Sequence, residues 1–372
     1  MKSKHLAALV AASLVAGTLS AQTIEQANRT WEAGKLSWDE FQGEINSDTT
    51  INLFSYKVLL DRAVEKVGNT TYIYSKFTPY FDQTESWTLP RFKNDAMLQY
   101  NQIMFDMLEL YCRRATIDYN RNDGGYSQEQ IASFYRSQLA KRVKELDEAT
   151  RRGTDASQLP YFETGVALDL ERTRFNPAAL VEDVPIDYFG EFYVGATGHF
   201  PISDYYNHAF GLNLGFGFGW NRHLWEIDMT LGFGSKAKTD FDTRHGWIYE
   251  DESLNHYQAY LNYGYCAARN TRYQSYPFIG LGANGVTHPL GKDSDEKDPE
   301  KDGFSVCAGM MFDVFVSRRI TIHPNWGNWV DATCQAIRIK PYFSMTYYND
   351  FGWTPALNLS ISYNWGGMAW KR

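Results

Sequence analysis

Beyond its first twenty-one residues the chain has no apolar run near the ~20 residues a membrane-spanning helix needs, so any crossing of a bilayer falls to strands. It has no basic excess. Its 36 Lys and Arg stand against 44 Asp and Glu, a net charge of −8, which argues against nucleic acid as a partner. Cysteine is scarce: Cys112, Cys266, Cys307 and Cys334 follow no metal-binding spacing. An oxidising compartment allows disulfides, but Cys266 and Cys307 fall on alternating segments that favour small packed side chains, and no bridge is assigned. Histidine is missing between His5 and His199, which removes imidazole ligands from that whole stretch. Aromatics, by contrast, make 16% of the 372 residues, a share that the two aromatic girdles of a membrane barrel would explain.

The opening residues read as a signal peptide over 1–21. Lys2 and Lys4 precede an apolar core from Leu6 to Leu19, with a cleavage site at Leu19-Ser20-Ala21 and no cysteine after it for lipid attachment. The far half reads as strands. Phe210, Leu212, Leu214, Phe216, Phe218 and Trp220 alternate with Gly and Asn, a period of two that makes no helical stripe. Residues 224–234 and 304–316 repeat the pattern, the latter with Phe304, Val306, Ala308, Met310, Phe312, Val314 and Val316 on one face. A soluble sheet puts Lys, Glu and Thr on its wet face, whereas here that face is largely glycine with a few charges. The expectation is an all-β transmembrane barrel of about eight antiparallel strands, at 188–200, 208–220, 223–235, 256–268, 276–287, 304–316, 337–348 and 354–365. Residues 317–336 are too long for a turn, and two further strands hidden there would make ten. Loops 201–207, 236–255 and 288–303 fall on one side and the tight turn Asn221-Arg222 on the other, with His245, His256 and His288 in or near the loops. The acidic loop 292–302 lacks EF-hand spacing and reads as solvated surface.

Before the barrel, residues 22–152 read as a small α+β periplasmic domain with two long helices, joined to residues 188–372 by a linker over 153–187 with one short strand near Gly165–Leu170. The first helix runs from Asn94 to about Asn120. The second opens on the capping box of Ser127 and Gln130, with Ile131, Phe134, Leu139, Val143 and Leu146 inward.

Over residues 31–120 this domain carries three short boxes: Trp38-Asp39-Glu40-Phe41-Gln42-Gly43, then Phe77-Thr78-Pro79 with Ser86-Trp87, then Phe105-Asp106-Met107 on the first helix. In these it resembles a bacterial family of unknown function described as zinc-dependent proteases. The resemblance implies a His-Glu-x-x-His site just before Phe105. Here Tyr100 and Met104 occupy the two ligand positions and Asn101 that of the base. Two imidazoles one turn apart hold the zinc and a glutamate activates its water; tyrosine is a poor ligand and an amide cannot take the proton. No catalytic residue, metal or cofactor is therefore assigned, and the scaffold is expected to outlive its chemistry.

By parity, Glu191, Glu226, Asp228, Asp313, Arg338 and Lys340 point into the barrel. Charges enclosed there must pair, and an eight-stranded barrel has room for side chains and little else. The aromatic last strand, Leu357 to Trp365, resembles the terminal strand recognised by outer-membrane assembly machinery, although residues 366–372 follow it. The combined expectation is a non-enzymatic outer-membrane barrel that anchors a catalytically dead periplasmic domain as a structural or binding scaffold. Its partners would be membrane lipid and a periplasmic protein or peptide; a small-solute channel is the alternative. On the lipid face Leu214→Arg is expected to impair assembly, and on the lumen face Gly215→Ala to be milder.

Overall fold

The computed structural model describes residues 28–371 except 48–49, 122–124, 182–185, 290–296 and 325–328. The expected signal peptide, most of the loop 122–125, the middle of the acidic loop and Trp326 lie outside the described residues. The chain forms two compact units: Met1–Leu59 with Thr78–Leu110 and Leu139–Glu171, and Leu60–Phe77 with Tyr111–Gln138 and Arg172–Arg372.

In chain order come β1 (Asn28–Thr30), β2 (Tyr56–Val67), β3 (Thr70–Asp82) and the helices α1 (Asp95–Arg121), α2 (Gln128–Thr150) and α3 (Leu159–Arg172). The α1 start is capped by Asn94, whose Oδ1 accepts from the Met97 N–H at 2.9 Å. The Ser127–Gln130 box forms at the start of α2, with bonds of 3.2 and 2.8 Å. In the first unit, the rings of Phe41, Phe54 and Phe105 gather about Phe81, centroids 5.1, 5.1 and 6.1 Å away. Ile131, Leu139 and Leu146 of α2 are buried, but Phe134 is exposed; its neighbour Tyr135 turns to Asp118 of α1 instead. The segment read as a linker contains α3. Leu159, Phe162, Val166 and Leu170 recur at helical spacing and are all buried, so the short strand expected near Gly165–Leu170 is a helix.

The second unit holds a ring of eight strands: β4 (Tyr188–Pro201), β5 (Ala209–Trp220), β6 (His223–Lys236), β7 (Ser253–Tyr265), β8 (Tyr273–Thr287), β9 (Glu300–His323), β10 (Trp329–Tyr348) and β11 (Gly352–Lys371). Each pairs antiparallel with the next, and β11 returns to β4 from Ala369↔Tyr188 to Ala356↔Pro201, closing the barrel. The described residues of 317–336 add no strand to the ring. They prolong β9 and β10, and β11 continues with them to Lys371, past the expected end at 365. The pairing of β8 with β9 stops at Tyr273↔Val314, a register shift follows between Phe315 and Ser317, and the freed edge of β9 takes β3 in parallel, from Thr70↔Arg318 to Ile73↔Thr321. That junction is pinned by the Asn69 amide donating to the Phe315 carbonyl at 2.9 Å and the Arg318 N–H to the Asn69 carbonyl at 3.0 Å.

The barrel is apolar outside and polar inside. Leu212 and Ile279 are 61% and 64% exposed, while Arg338, Glu226 and Asp313 are 0%. Aromatics ring both ends of the outer face: Phe200, Phe210, Phe233 and Trp353 near the long loops, Tyr188, Trp220, Tyr265 and Trp365 near the turns. His256 is not a loop residue, because β7 begins at Ser253 and turns it into the interior.

Candidate functional site: the filled lumen

The lumen is built on a run of glycines. Opposite Gly215, Gly217 and Gly219 of β5 stand Tyr193, Glu191 and Phe189 of β4. A Cβ on Gly215 would lie 2.3 Å from the Tyr193 ring and one on Gly217 2.7 Å from Glu191 Cγ. The glycines are the recesses into which those side chains fold. An alanine at Gly215 therefore collides with a buried ring.

At mid-depth the structure brings all six charged positions together. Arg338 is the hub. Its Nε and Nη2 donate to the two oxygens of Asp313 at 2.7 and 2.9 Å, its Nη1 donates to Glu226 at 2.7 Å, and Nη2 lies 2.6 Å from Glu191. Lys340 bridges Glu226 and Asp228. Four carboxylates thus share two cations, and each also accepts from a neutral donor. Asn364 donates to Glu191, Asn262 to Glu226, and Gln274 to Asp313, each at 2.9 Å; Tyr193 donates to Asp228 at 2.8 Å. The guanidinium lies 5.1 Å from the Tyr193 ring centre, and the Lys340 ammonium 4.9 Å from that of Phe278. These neutral donors were missed by reading charges alone. Their signal was parity: each lies on the same inward face as its partner.

Above the charges, Tyr260 and Tyr342 contact the hydroxyl of Ser305 and the amide of Gln258. His199 and His256 then stack, centroids 4.0 Å apart, with His199 Nδ1 2.7 Å from Asn358 Oδ1. Tyr206 and Tyr348 share a hydrogen bond of 3.2 Å, and over them Phe241, Ile248, Leu254 and Val286 close the long-loop end. Below the charges, Phe189, Leu224, Tyr276, Met311 and Phe315 fill the opposite end. Among the described residues no group of His, Cys, Asp and Glu is arranged to hold a metal, and all four cysteines are buried. Such an interior holds its charged side chains fixed in pairs.

The three motif positions on α1 are elsewhere and each has another occupation. The buried Tyr100 hydroxyl donates to Asp147, and burial together with that carboxylate pushes its pKa far up. Gly153, at φ +81, lies against the Tyr100 ring where a Cβ would come within 2.8 Å of it. Asn101 is fully buried and exchanges bonds of 2.8 and 3.2 Å with Asn52. Met104 is half-buried and lines a hollow of about 320 Å³ with Phe54, Leu108, Leu139 and Val143.

Solved outer-membrane barrels are similar to this half of the chain. Ail, the attachment invasion locus protein of Yersinia pestis, is 13% identical over 50% of this chain and 100% of its own, with a TM-score of 0.29. Neisserial surface protein A is 13% identical over 48% and 95%, TM-score 0.31. OprG of Pseudomonas aeruginosa is 12% identical over 51% and 99%, TM-score 0.27. No family model and no curated protein matches the chain.

Proposed function

We propose that the barrel is a closed outer-membrane anchor and that the helical unit is a non-enzymatic binding module on its periplasmic side. The observation that carries this reading is the Arg338–Lys340 network, which occupies the lumen with paired charges between two hydrophobic closures. The apolar outer face between two aromatic rings supports placement in a bilayer. Orientation is supported by loop length: strands β8 and β9 are joined by residues 288–299, whereas β5 and β6 need only 221–222 at the end where the barrel begins and finishes. The binding role is supported by α1, on which Tyr100 and Asn101 are committed to Asp147 and Asn52 while Met104 faces a hollow, walled mainly by apolar side chains with Lys144 and Asp147 beside them, sized for a peptide side chain or two.

The test is conductance of the purified full chain in planar bilayers. A closed anchor gives no steady current above leak, and photo-crosslinking from position 104 in intact cells captures an envelope protein or peptide. Steady open-channel current from the wild type overturns the anchor in favour of a small-solute channel, and crosslinks no different from those of an exposed α2 position remove the binding role.

A further inference from the structure

At the turn end of the barrel lies a second, larger cavity of about 820 Å³, distinct from the filled lumen. Its described lining includes Arg222, Arg269 and Arg318 and no carboxylate, in a chain with more acids than bases. Each cation is positioned by different local structure. Arg222 sits on the tight turn after Asn221, whose φ is +55, and its carbonyl accepts from the Cys266 N–H at 2.7 Å, tying two turns together. Arg269 is braced by Tyr276 and Gln274 at 3.0 and 3.2 Å. Arg318 packs over the Phe315 ring at 5.0 Å, and its buried Nε has no partner among the described residues.

A second observation points to a ligand. Trp370 lines the same cavity, is 2% exposed, and its indole Nε1–H has no acceptor among the described residues. A buried donor without an acceptor is destabilising, and three guanidinium groups with no carboxylate among the described lining residues repel one another. An oxyanion removes both costs at once, since the guanidinium fork matches the geometry of phosphate oxygens. The rest of the described lining joins the polar Asn221, His223, Asn270 and Thr271 to apolar and aromatic side chains such as Ile320 and Tyr265, and Tyr265 belongs to the outer aromatic ring at this end. The cavity therefore opens at the level where headgroups meet acyl chains in a bilayer-embedded barrel.

We infer that this cavity binds a phosphate-bearing amphipath, the headgroup against Arg222, Arg269, Arg318 and the Trp370 indole, and acyl carbons along Ile320 and Tyr265. The inference rests on the membrane placement proposed above. The phosphate chemistry is shared by an anionic phospholipid and by a soluble phosphate, and the test separates them.

The full chain is purified in a non-ionic micelle and titrated with phosphatidylglycerol, phosphatidylcholine and inorganic phosphate, with bound ligand counted by native mass spectrometry. The expected result is one phosphatidylglycerol retained per chain, at least tenfold preferred over phosphatidylcholine, and at least tenfold weaker in R222Q/R269Q/R318Q. A milder variant, W370F, replaces the indole by the smaller phenyl ring and removes its N–H, and should weaken retention in a barrel that is still heat-modifiable. Displacement of the lipid by millimolar inorganic phosphate identifies soluble phosphate as the source; persistence of the lipid identifies the membrane. Equal retention of both lipids by a folded, heat-modifiable barrel, with no effect of phosphate, overturns the inference and leaves the membrane placement standing. A chain that never forms a heat-modifiable barrel in micelles overturns the placement, and this inference with it.

Discussion

Arg338 illustrates how a charge is kept inside a barrel. Alone it would be prohibitively costly to bury; here three carboxylates meet it, and each of them also accepts from an amide on another strand. Arg338→Met removes the only cation among the described residues that is bonded to Asp313 and Glu191 while leaving Glu226 with Lys340. The loss should be about 3–5 kcal/mol, as for other broken buried pairs, read as a lower temperature for conversion of the folded to the unfolded gel band. Adding Asp313→Asn and Glu191→Gln should recover part of it; no recovery would mean that the arginine acts through packing alone. Gly215→Ala makes the complementary point about space. Its new methyl has the Tyr193 ring and the Ile227 carbonyl in its way, at 2.3 and 2.7 Å, so about 1–3 kcal/mol of overpacking is expected, and Tyr193→Phe should not relieve it because the ring itself is the obstacle.

At the scale of the element, alternation made the barrel readable. A period of two assigns every residue of a strand to one face, so six inward charges could be named without knowing which strands are neighbours. The same rule says nothing about length once neither face is strongly apolar. Ser317, Arg318 and Arg319 broke the pattern, and the continuation of β9 to His323 was hidden. In helix α3 Pro160 occupies the first turn, where no N–H is needed, and Gly165 faces open space, so neither interrupts the helix.

Helix α1 carries two predictions. Converting Tyr100, Asn101 and Met104 to His, Glu and His restores the letters of the zinc motif, yet puts a carboxylate at a fully buried position facing Asn52 and deletes the Tyr100–Asp147 bond. The variant should lose helix stability, by roughly 2 kcal/mol or more, and show no zinc-dependent cleavage of casein. Stoichiometric zinc with chelator-sensitive hydrolysis would reveal an intact site. Asp106 concerns pH. Burial raises its carboxyl pKa, against the hydrogen bonds from Trp31 and Gln102. A carboxyl raised in the fold costs nothing below its unfolded value and costs progressively more as pH climbs through its folded one. Both donors meet the same oxygen, Oδ1, which asparagine retains. Asp106→Asn should therefore melt higher than the wild type at neutral pH by circular dichroism, with the gap closing below about pH 4.

For the molecule as a whole, the inverted distribution of polarity is decisive: a surface of Leu212, Phe216, Ile279 and Leu281 around an interior of Glu, Asp, Arg and Lys suits a solvent less polar than the protein's own centre. Leu214→Arg tests this, since a cation on the outer face near mid-strand should cost roughly 2–4 kcal/mol in a bilayer and impair membrane assembly. Equal yields of variant and wild type in the membrane fraction would point to a sheet bathed in water.

The parallel seam between β3 and β9 also constrains how such a chain can be made. Asn69 and Phe315, the residues that pin it, are 246 positions apart, and the Asn364–Glu191 bond where the ring closes spans another 173. Neither junction can exist until almost the entire polypeptide has been synthesised, and contacts so remote in sequence form slowly. Throughout that delay the edge of β3 and the apolar strands that follow are open to pairing with the wrong partner. The ring therefore closes only after β11, the strand paired with both β10 and β4, has been made.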